Sequence, residues 1–403
     1  MEQPHSLTTL RKLTFWVAIV MLVVFLGMTV VSRYVRLPVG NHLAEADGRL
    51  WFVQSTRLLS DSSGGPDRFE SDETAFYRRD DRGRWTQTMT LGGRAMGACE
   101  YRGQLVVAQP TRLVRIEGDN TRLSSFTQFR IEGLAADSDN LYVAGFTDND
   151  SMALVRLDGE GESTSLPELL LKDIPGQIGR YSGVQLAALE GEVTALWFQQ
   201  RDGDDAEDVP ALSLYAARYR DDGGWTVPVP VVEREDTGFA YAATRSPEGG
   251  MSLVWSAMSE DAVRLVALRG EEWAEQWRGR IDVSYADSIR MTMKDLALTS
   301  VDDELRMAVI DDNVQIYGTD GSGWQLRETV IESKPWRGMF RLVSLAAFLG
   351  AGVWVILGVI ILWMKWSMIR QRRRRVRAPH GDETSPTDGG GQSRNTPTGR
   401  DES

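Results

Sequence analysis

With 403 residues and a formal net charge of −12, the chain is long enough for two ordinary domains or one large repeat domain. Its single cysteine excludes a disulfide-stapled scaffold, and its acidic balance argues against a nucleic-acid partner. Two uncharged apolar runs divide the charge unevenly: 11 of the 45 basic and 6 of the 57 acidic residues lie in the two end segments, leaving 34 against 51 between the runs, a net of −17.

The first run, "LTFWVAIVMLVVFLGMTVVS" (13–32), follows a short segment, 1–12. About 20 apolar residues at ~1.5 Å each cross a ~30 Å hydrocarbon core, so a transmembrane helix is expected here. "SRYVRLPVG" after it offers no small-x-small cleavage site, which reads as an uncleaved anchor. Residues 33–44 then read as a linker.

From 45 to 331 short apolar runs alternate with Gly/Asp turns. In chain order they are "RLWFVQ", "AFYRRD" and "RWTQTMT"; then "QLVVAQ" with "RLVRIEG"; then "LYVAGF" with "MALVRL"; then "VQLAALE", "EVTALWFQ", "ALSLYAARYR" and "GWTVPV". The last two sets are the most regular: "FAYAATR", "MSLVWSA", "AVRLVALR" and "EWAEQWRGR", then "DLALTS", "ELRMAVI", "NVQIYGT" and "WQLRETV". Such runs separated by turn residues predict antiparallel hairpins, four strands to a unit. The first unit lacks an obvious innermost strand, which residues 41–48 or the end of the last unit would complete.

One turn recurs. Asp81 precedes Trp85, Asp221 precedes Trp225 and Asp320 precedes Trp324, each by four residues with Gly between, and a weaker copy, "RGEEW", ends at Trp273. Trp225, Trp273 and Trp324 are 48 and 51 residues apart, and two turns without Trp, "IEGDNTR" and "LDGEGES", fill the longer gap back to Trp85. Six turns at close to fifty residues are the period of propellers and related arrays. Residues 45–331 thus resemble a six-bladed β-propeller, give or take one blade, with turns similar to a shortened Asp-box or kelch-like hairpin. The Asp-box spacing and its preceding Ser or Thr are missing, so the resemblance implies the propeller and no sialidase activity. The tryptophans are expected to open each outermost strand and pack on the neighbouring sheet, with Asp accepting from the turn backbone and Gly supplying positive φ.

After a second linker (332–341), "LVSLAAFLGAGVWVILGVIILWM" (342–364) predicts a second transmembrane helix. "KWSMIRQRRRRVR" (365–377) follows with seven basic residues, among them Arg370, Arg372, Arg373, Arg374, Arg375 and Arg377. Positive charge stays inside, so both termini are expected in the cytoplasm and the propeller outside or in the periplasm, in the plasma or inner membrane. The basic cluster reads as an anchor for anionic lipid head groups. Residues 378–403 read as a disordered tail.

For chemistry, the three histidines are His5, His42 and His380, all outside 45–331, which removes Ser-His-Asp, Cys-His and His-ligated zinc arrangements from the blades. Cys99 reads as a small buried hydrophobe. "RDGDDAEDVP" (201–210) and Asp148 with Asp150 lack calcium-loop spacing and read as solvated loops, so no metal or cofactor is expected. The sequence therefore implies a membrane-tethered all-β module for binding, sensing or scaffolding, with a protein or glycan partner outside. It leaves two alternatives: a surface-tethered, carboxylate-dependent glycan hydrolase or lyase, and an accessory subunit of a membrane complex. An acidic and Arg-bearing channel mouth would favour the enzyme; a channel of small apolar residues would favour the binding module.

Overall fold

A computed structural model of the protein describes residues 36–58, 71–147, 149, 151–171, 181–201, 211–235, 239–248, 250–257, 263–269, 272–279, 295–310, 313–319, 323–331, 358 and 361–370. The chain divides into two compact units. Phe25–Met339 contains every described strand; Met1–Val24 with Phe340–Ser403 forms the other.

Among the described residues the strands of the larger unit make six antiparallel sheets, each contiguous in sequence. Blade I is β1 (Arg36–Ala46), β2 (Arg49–Leu58), β3 (Glu73–Arg79) and β4 (Trp85–Gly92). Blade II is β5 (Gly97–Tyr101), β6 (Gln104–Gln109), β7 (Arg112–Glu117) and β8 (Asn120–Ser125). Blade III is β9 (Gly133–Ala136), β10 (Leu141–Phe146) and β11 (Ser151–Leu157), edged by β12 (Ser163–Ser165) and β13 (Leu169–Leu170). Blade IV is β14 (Tyr181–Leu189), β15 (Glu192–Arg201) and β16 (Ala211–Arg220), edged by β17 (Gly224–Trp225) and β18 (Val229–Glu235). Blade V is β19 (Phe239–Arg245), β20 (Met251–Ala257), β21 (Val263–Arg269) and β22 (Glu272–Gly279); blade VI is β23 (Asp295–Val301), β24 (Glu304–Ile310), β25 (Val314–Thr319) and β26 (Trp324–Ile331).

The first strands touch in ring order, β1 to β5 to β9 to β14 to β19 to β23, and β23 returns to β1. The fold is a six-bladed β-propeller. Among the described residues no strand is shared between the first and last blades, and side chains join the two. Leu43, Leu50 and Phe52 of blade I share an apolar cluster with Ala308, Ile310 and Ile316 of blade VI, and Asn41 Nδ2 donates to Asp295 Oδ2 at 2.5 Å.

Burial follows the wedge shape of each sector. β6 and β10 are almost wholly buried, whereas the outermost β8 is exposed along its length. Near the axis the sectors are too narrow for some side chains. A Cβ on Gly97 would lie 2.9 Å from the Leu134 Cβ, and one on Gly133 would lie 2.9 Å from the Val184 carbonyl oxygen. Only glycine lets these blades approach so closely.

Two expectations are corrected. Residues 36–44, read as linker, are the missing innermost strand of blade I: β1 begins at Arg36 and pairs with β2 through a bulge between Pro38 and Gly40. His42 therefore lies inside the ring, on β1. Pro38 and Gly40 disguise the strand in sequence, because both are poor strand formers that a bulge accommodates.

The expected span 13–32 lies outside the described residues, as do the tail 378–403 and all of 342–364 except Gly358 and 361–364. The described part of the smaller unit is helical at 358 and over 361–370, with Leu362, Trp363, Trp366 and Met368 exposed and the Arg370 guanidinium 4.0 Å from the centre of the Trp366 ring. Among the described residues no helix is long and apolar enough to cross a membrane.

Candidate functional site

The six first strands surround an axial cavity of ≈780 Å³. Each contributes an alanine to its wall: Ala44, Ala98, Ala136, Ala187, Ala243 and Ala297. Small side chains are what six converging wedges leave room for, and they make the waist apolar. The two ends differ from the waist and from each other.

Where the first strands end lies the hairpin face. Four of its turns are two-residue reversals with positive φ at both positions: Asp47–Gly48, Arg102–Gly103, Glu190–Gly191 and Asp302–Asp303. Asp137 holds the corresponding turn of blade III by accepting from the N–H groups of Asp139 and Asn140, and its other oxygen accepts from the Tyr142 hydroxyl and from Gly191 N–H of blade IV. Glu45, Asp47, Glu100 and Asp303 line the cavity at this end. The Glu45 carboxyl is pushed above its ordinary value, first by burial and then by the negative charges of Asp302 and Glu100. The mouth is acidic.

At the opposite end, where the blades connect, the polar groups are buried or half-buried and several hold one another. Asp295 is half-buried, and desolvation raises its pKa against the opposing effects of the Asn41 and Leu296 hydrogen bonds and the Arg94 charge. Arg94 is lowered by burial, with Asp72, Asp295 and Glu132 opposing that shift. His42 Nε2 lies 3.2 Å from the Ala95 carbonyl. Desolvation lowers His42 to about 4, against the raising effect of that hydrogen bond, so the ring is neutral at pH 7. Nearby, Arg57 clamps Asp72 through two bonds of 2.7 and 2.8 Å.

The recurring turns lie on the hairpin face, each between the third and fourth strands of its blade. Their carboxylates do not share one role. In the first, Asp80 rather than Asp81 caps the turn, accepting from Arg82 and Arg84 N–H at 3.0 and 2.8 Å, and the Arg84 backbone bond holds its carboxyl below the usual range. Asp81 is exposed. Asp221 instead pairs with Arg156 of blade III at 2.7 Å. Asp158, in the turn without Trp, caps in the same manner as Asp80. Asp320 lies outside the described residues.

The tryptophans do share a role: each leans on the preceding blade. Trp85 joins the cluster between blades I and VI and donates to Glu328 Oε2 at 2.8 Å. Trp225 joins the cluster of blades III and IV and donates to the Pro167 carbonyl at 2.6 Å. Trp273 packs between blades IV and V, and Trp324 between blades V and VI. None of them faces the axial cavity.

Cys99 lines that cavity, half-buried, and desolvation pushes its thiol far up, which disfavours the thiolate. Among the described residues no three His, Cys, Asp or Glu side chains are grouped to hold a metal ion. Residues 202–210, Asp148 and Asp150 lie outside the described residues, and so do Arg372, Arg373, Arg374, Arg375 and Arg377; Arg370 ends the described helix.

No family model matches the sequence, and no curated protein matches it. Solved structures share the architecture. SapL1 lectin in complex with alpha methyl fucoside is 12% identical, covering 75% of this chain and 99% of that one, with a TM-score of 0.48. The six-bladed Aleuria aurantia lectin is 12% identical over 73% of this chain and 97% of its own, with a TM-score of 0.45. The Penicillium chrysogenum alpha-L-arabinanase is 13% identical over 71% and 94%, also with a TM-score of 0.45. At these identities the likeness concerns the fold alone.

Proposed function

We propose that the protein is a membrane-tethered extracytoplasmic module for binding, sensing or scaffolding, and that the hairpin face with its acidic axial mouth is the recognition surface. The observation that carries this reading is the exit of both chain ends on the opposite face. Asp295 pairs with Ile310, Ile310 with Val314 and Val314 with Ile331, so Ile331 lies level with Asp295 and hence with Asn41. Arg36 lies further along β1 in the same direction. Apolar segments 13–32 and 342–364 would act as two anchors. The basic segment 365–377 would rest on anionic lipid inside, and the partner outside is a protein or glycan. Reporters fused before Met1 and after Ser403 are expected to read cytoplasm, and one inserted at the Gly191 turn to read outside. A C-terminal reporter found outside overturns the reading.

One observation favours the enzymatic alternative, a carboxylate-dependent glycan hydrolase or lyase. Glu45, raised first by burial and then by the charges of Asp302 and Glu100, holds its proton more tightly than an ordinary carboxyl, as a general acid requires. Hydrolysis of aryl glycosides that is lost in Glu45→Gln would establish it.

A further inference from the structure

A second cavity, of ≈180 Å³, opens away from the axis between blades IV and V. Its origin is the segment "WTVPVP" (225–230). Proline has no N–H to give to a ladder, and Pro228 and Pro230 fall where the outermost strand runs beside β16. That strand divides. β17 pairs with Tyr219 and Arg220, and β18 rejoins β16 at Ala216. Three residues, Thr226 to Pro228, thus stand opposite two, Ala217 and Arg218. Thr226 N–H donates to the Arg218 carbonyl, Arg218 N–H donates to the Thr226 hydroxyl at 2.9 Å, and Val227 is pushed out to 82% exposure. The bulge holds the outer edge of blade IV away from Leu268 and Trp273 of blade V, and the cleft lies between.

The polar groups of the cleft are unevenly satisfied. Thr194 lines it at 5% exposure, and its hydroxyl has no hydrogen-bond partner among the described residues. The indole N–H of Trp273 also has none, unlike those of Trp85 and Trp225. The Thr226 hydroxyl accepts a bond and keeps its own proton to donate. Neither the Thr194 hydroxyl nor the Trp273 N–H is sealed from solvent, so in the empty cleft each faces water that a ligand hydroxyl would replace. Arg218 is paired with Glu192 at 3.4 Å, so the wall presents no unbalanced charge to attract a phosphate or an amine.

A flat indole, an apolar rim of Val227 and Val229, and separate hydroxyl and N–H groups suit a neutral ring that is apolar on its faces and hydroxylated at its edge. The volume equals the share of about six waters at ~30 Å³ each, enough for one such ring. We propose that this cleft binds a single neutral hexopyranose unit, its face on Trp273 and its hydroxyls on Thr194 and Thr226. The inference rests on reading the ring as a binding module and assigns it a site off the axis.

The test is saturation-transfer NMR on the full-length protein in a sugar-free detergent, using the methyl pyranosides of glucose, galactose, mannose and fucose as probes. At least one is expected to bind. Thr194→Val, which keeps shape and loses the hydroxyl, and Trp273→Phe, which keeps an aromatic face and loses the N–H, should each weaken it about tenfold with the melting temperature unchanged. Failure of all four to bind overturns the inference, as does binding indifferent to both variants. Binding lost in Glu45→Gln and intact in Thr194→Val would move the sugar to the axial mouth, overturning the cleft while leaving the binding-module reading in place.

Discussion

The two ends of the axial channel use similar residue types to opposite effect. On the hairpin side Glu45, Glu100 and Asp302 lie near solvent, and the Glu45 carboxyl is raised first by burial and then by the charges of the other two. On the connecting side Asn41 is buried and His42, Arg94 and Asp295 are half-buried; the Asn41–Asp295 bond joins the first and last blades, and His42 bonds to the Ala95 carbonyl. A carboxylate in the first setting is free to meet something new, whereas one in the second is already part of the closure. Position along the axis, rather than residue type, separates a candidate site from a staple.

The sharpest way to break this contrast is to remove one carboxylate from each end. Asp295→Ala leaves the buried Asn41 without its acceptor and removes an anionic neighbour of the half-buried Arg94, so a loss of about 2–4 kcal/mol is expected in urea unfolding of the full chain. Asp302→Asn, which removes the charge on an exposed turn and keeps a side chain suited to its positive φ, should stay within about 0.5 kcal/mol. Equal effects would show that the ends do not differ as described.

Trp85 tests whether the closing seam depends on the outer ring as well as the axis. Replacing it by alanine removes a half-buried ring and its bond to Glu328, which should cost about 2–4 kcal/mol. Trp85→Phe, which loses mainly the bond, should cost about 1 kcal/mol. Thermal unfolding orders the three proteins.

Acid distinguishes the ends through His42. Its folded pKa of about 4 lies below the ordinary 6.5, so the unfolded chain binds the proton first. The stability it contributes is complete above pH 6.5 and is lost as pH falls through 4, by about 1–3 kcal/mol given its partial exposure to the channel. Asp295, raised on folding, has the opposite slope and favours the folded state as pH falls. Urea midpoints across this range should drop for the native protein. They should flatten or rise in His42→Gln. An unchanged slope in the variant would remove His42 from the account.

The smallest effect belongs to the acidic mouth. Glu45→Gln relieves repulsion from Asp302 and Glu100 and should raise stability near neutral pH by no more than about 0.5 kcal/mol, most visibly at low salt. A loss of stability would mean that the carboxylate is structurally held.

Much of the ring was legible in the chain because its signals are local. Gly-bearing turns at a fifty-residue spacing mark the third hairpin connection of each blade, and alternating runs such as "ELRMAVI" mark the strands between. The cap at Asp80 was misplaced by one residue because "DD" offers two carboxylates and only backbone geometry selects between them. The channel wall also left a trace: "GLAA", "LAAL", "YAAT" and "LALT" carry small residues in the first strand of their units. Those residues are small because six strands converge on them, a fact that no single unit reveals. The cleft between blades IV and V was hidden for the same reason. "TVPVP" announces a broken strand, but the indole that faces the break comes from the next blade.

By itself, then, the sequence determined what neighbours along the chain can decide: the strand period, the turns, the repeat length and the placement of charge on either side of two apolar runs. Tertiary structure decided what depends on residues far apart. It turned "RLPVGNHLAEA" from an apparent linker into an inner strand by supplying β2 as its partner, and it brought Asn41 to Asp295, 254 positions away, to close the ring. A turn forms from the torsional preferences of a few residues, but a closed ring exists only when its last wedge meets its first, so channel, seam and cleft are properties of the assembled blades.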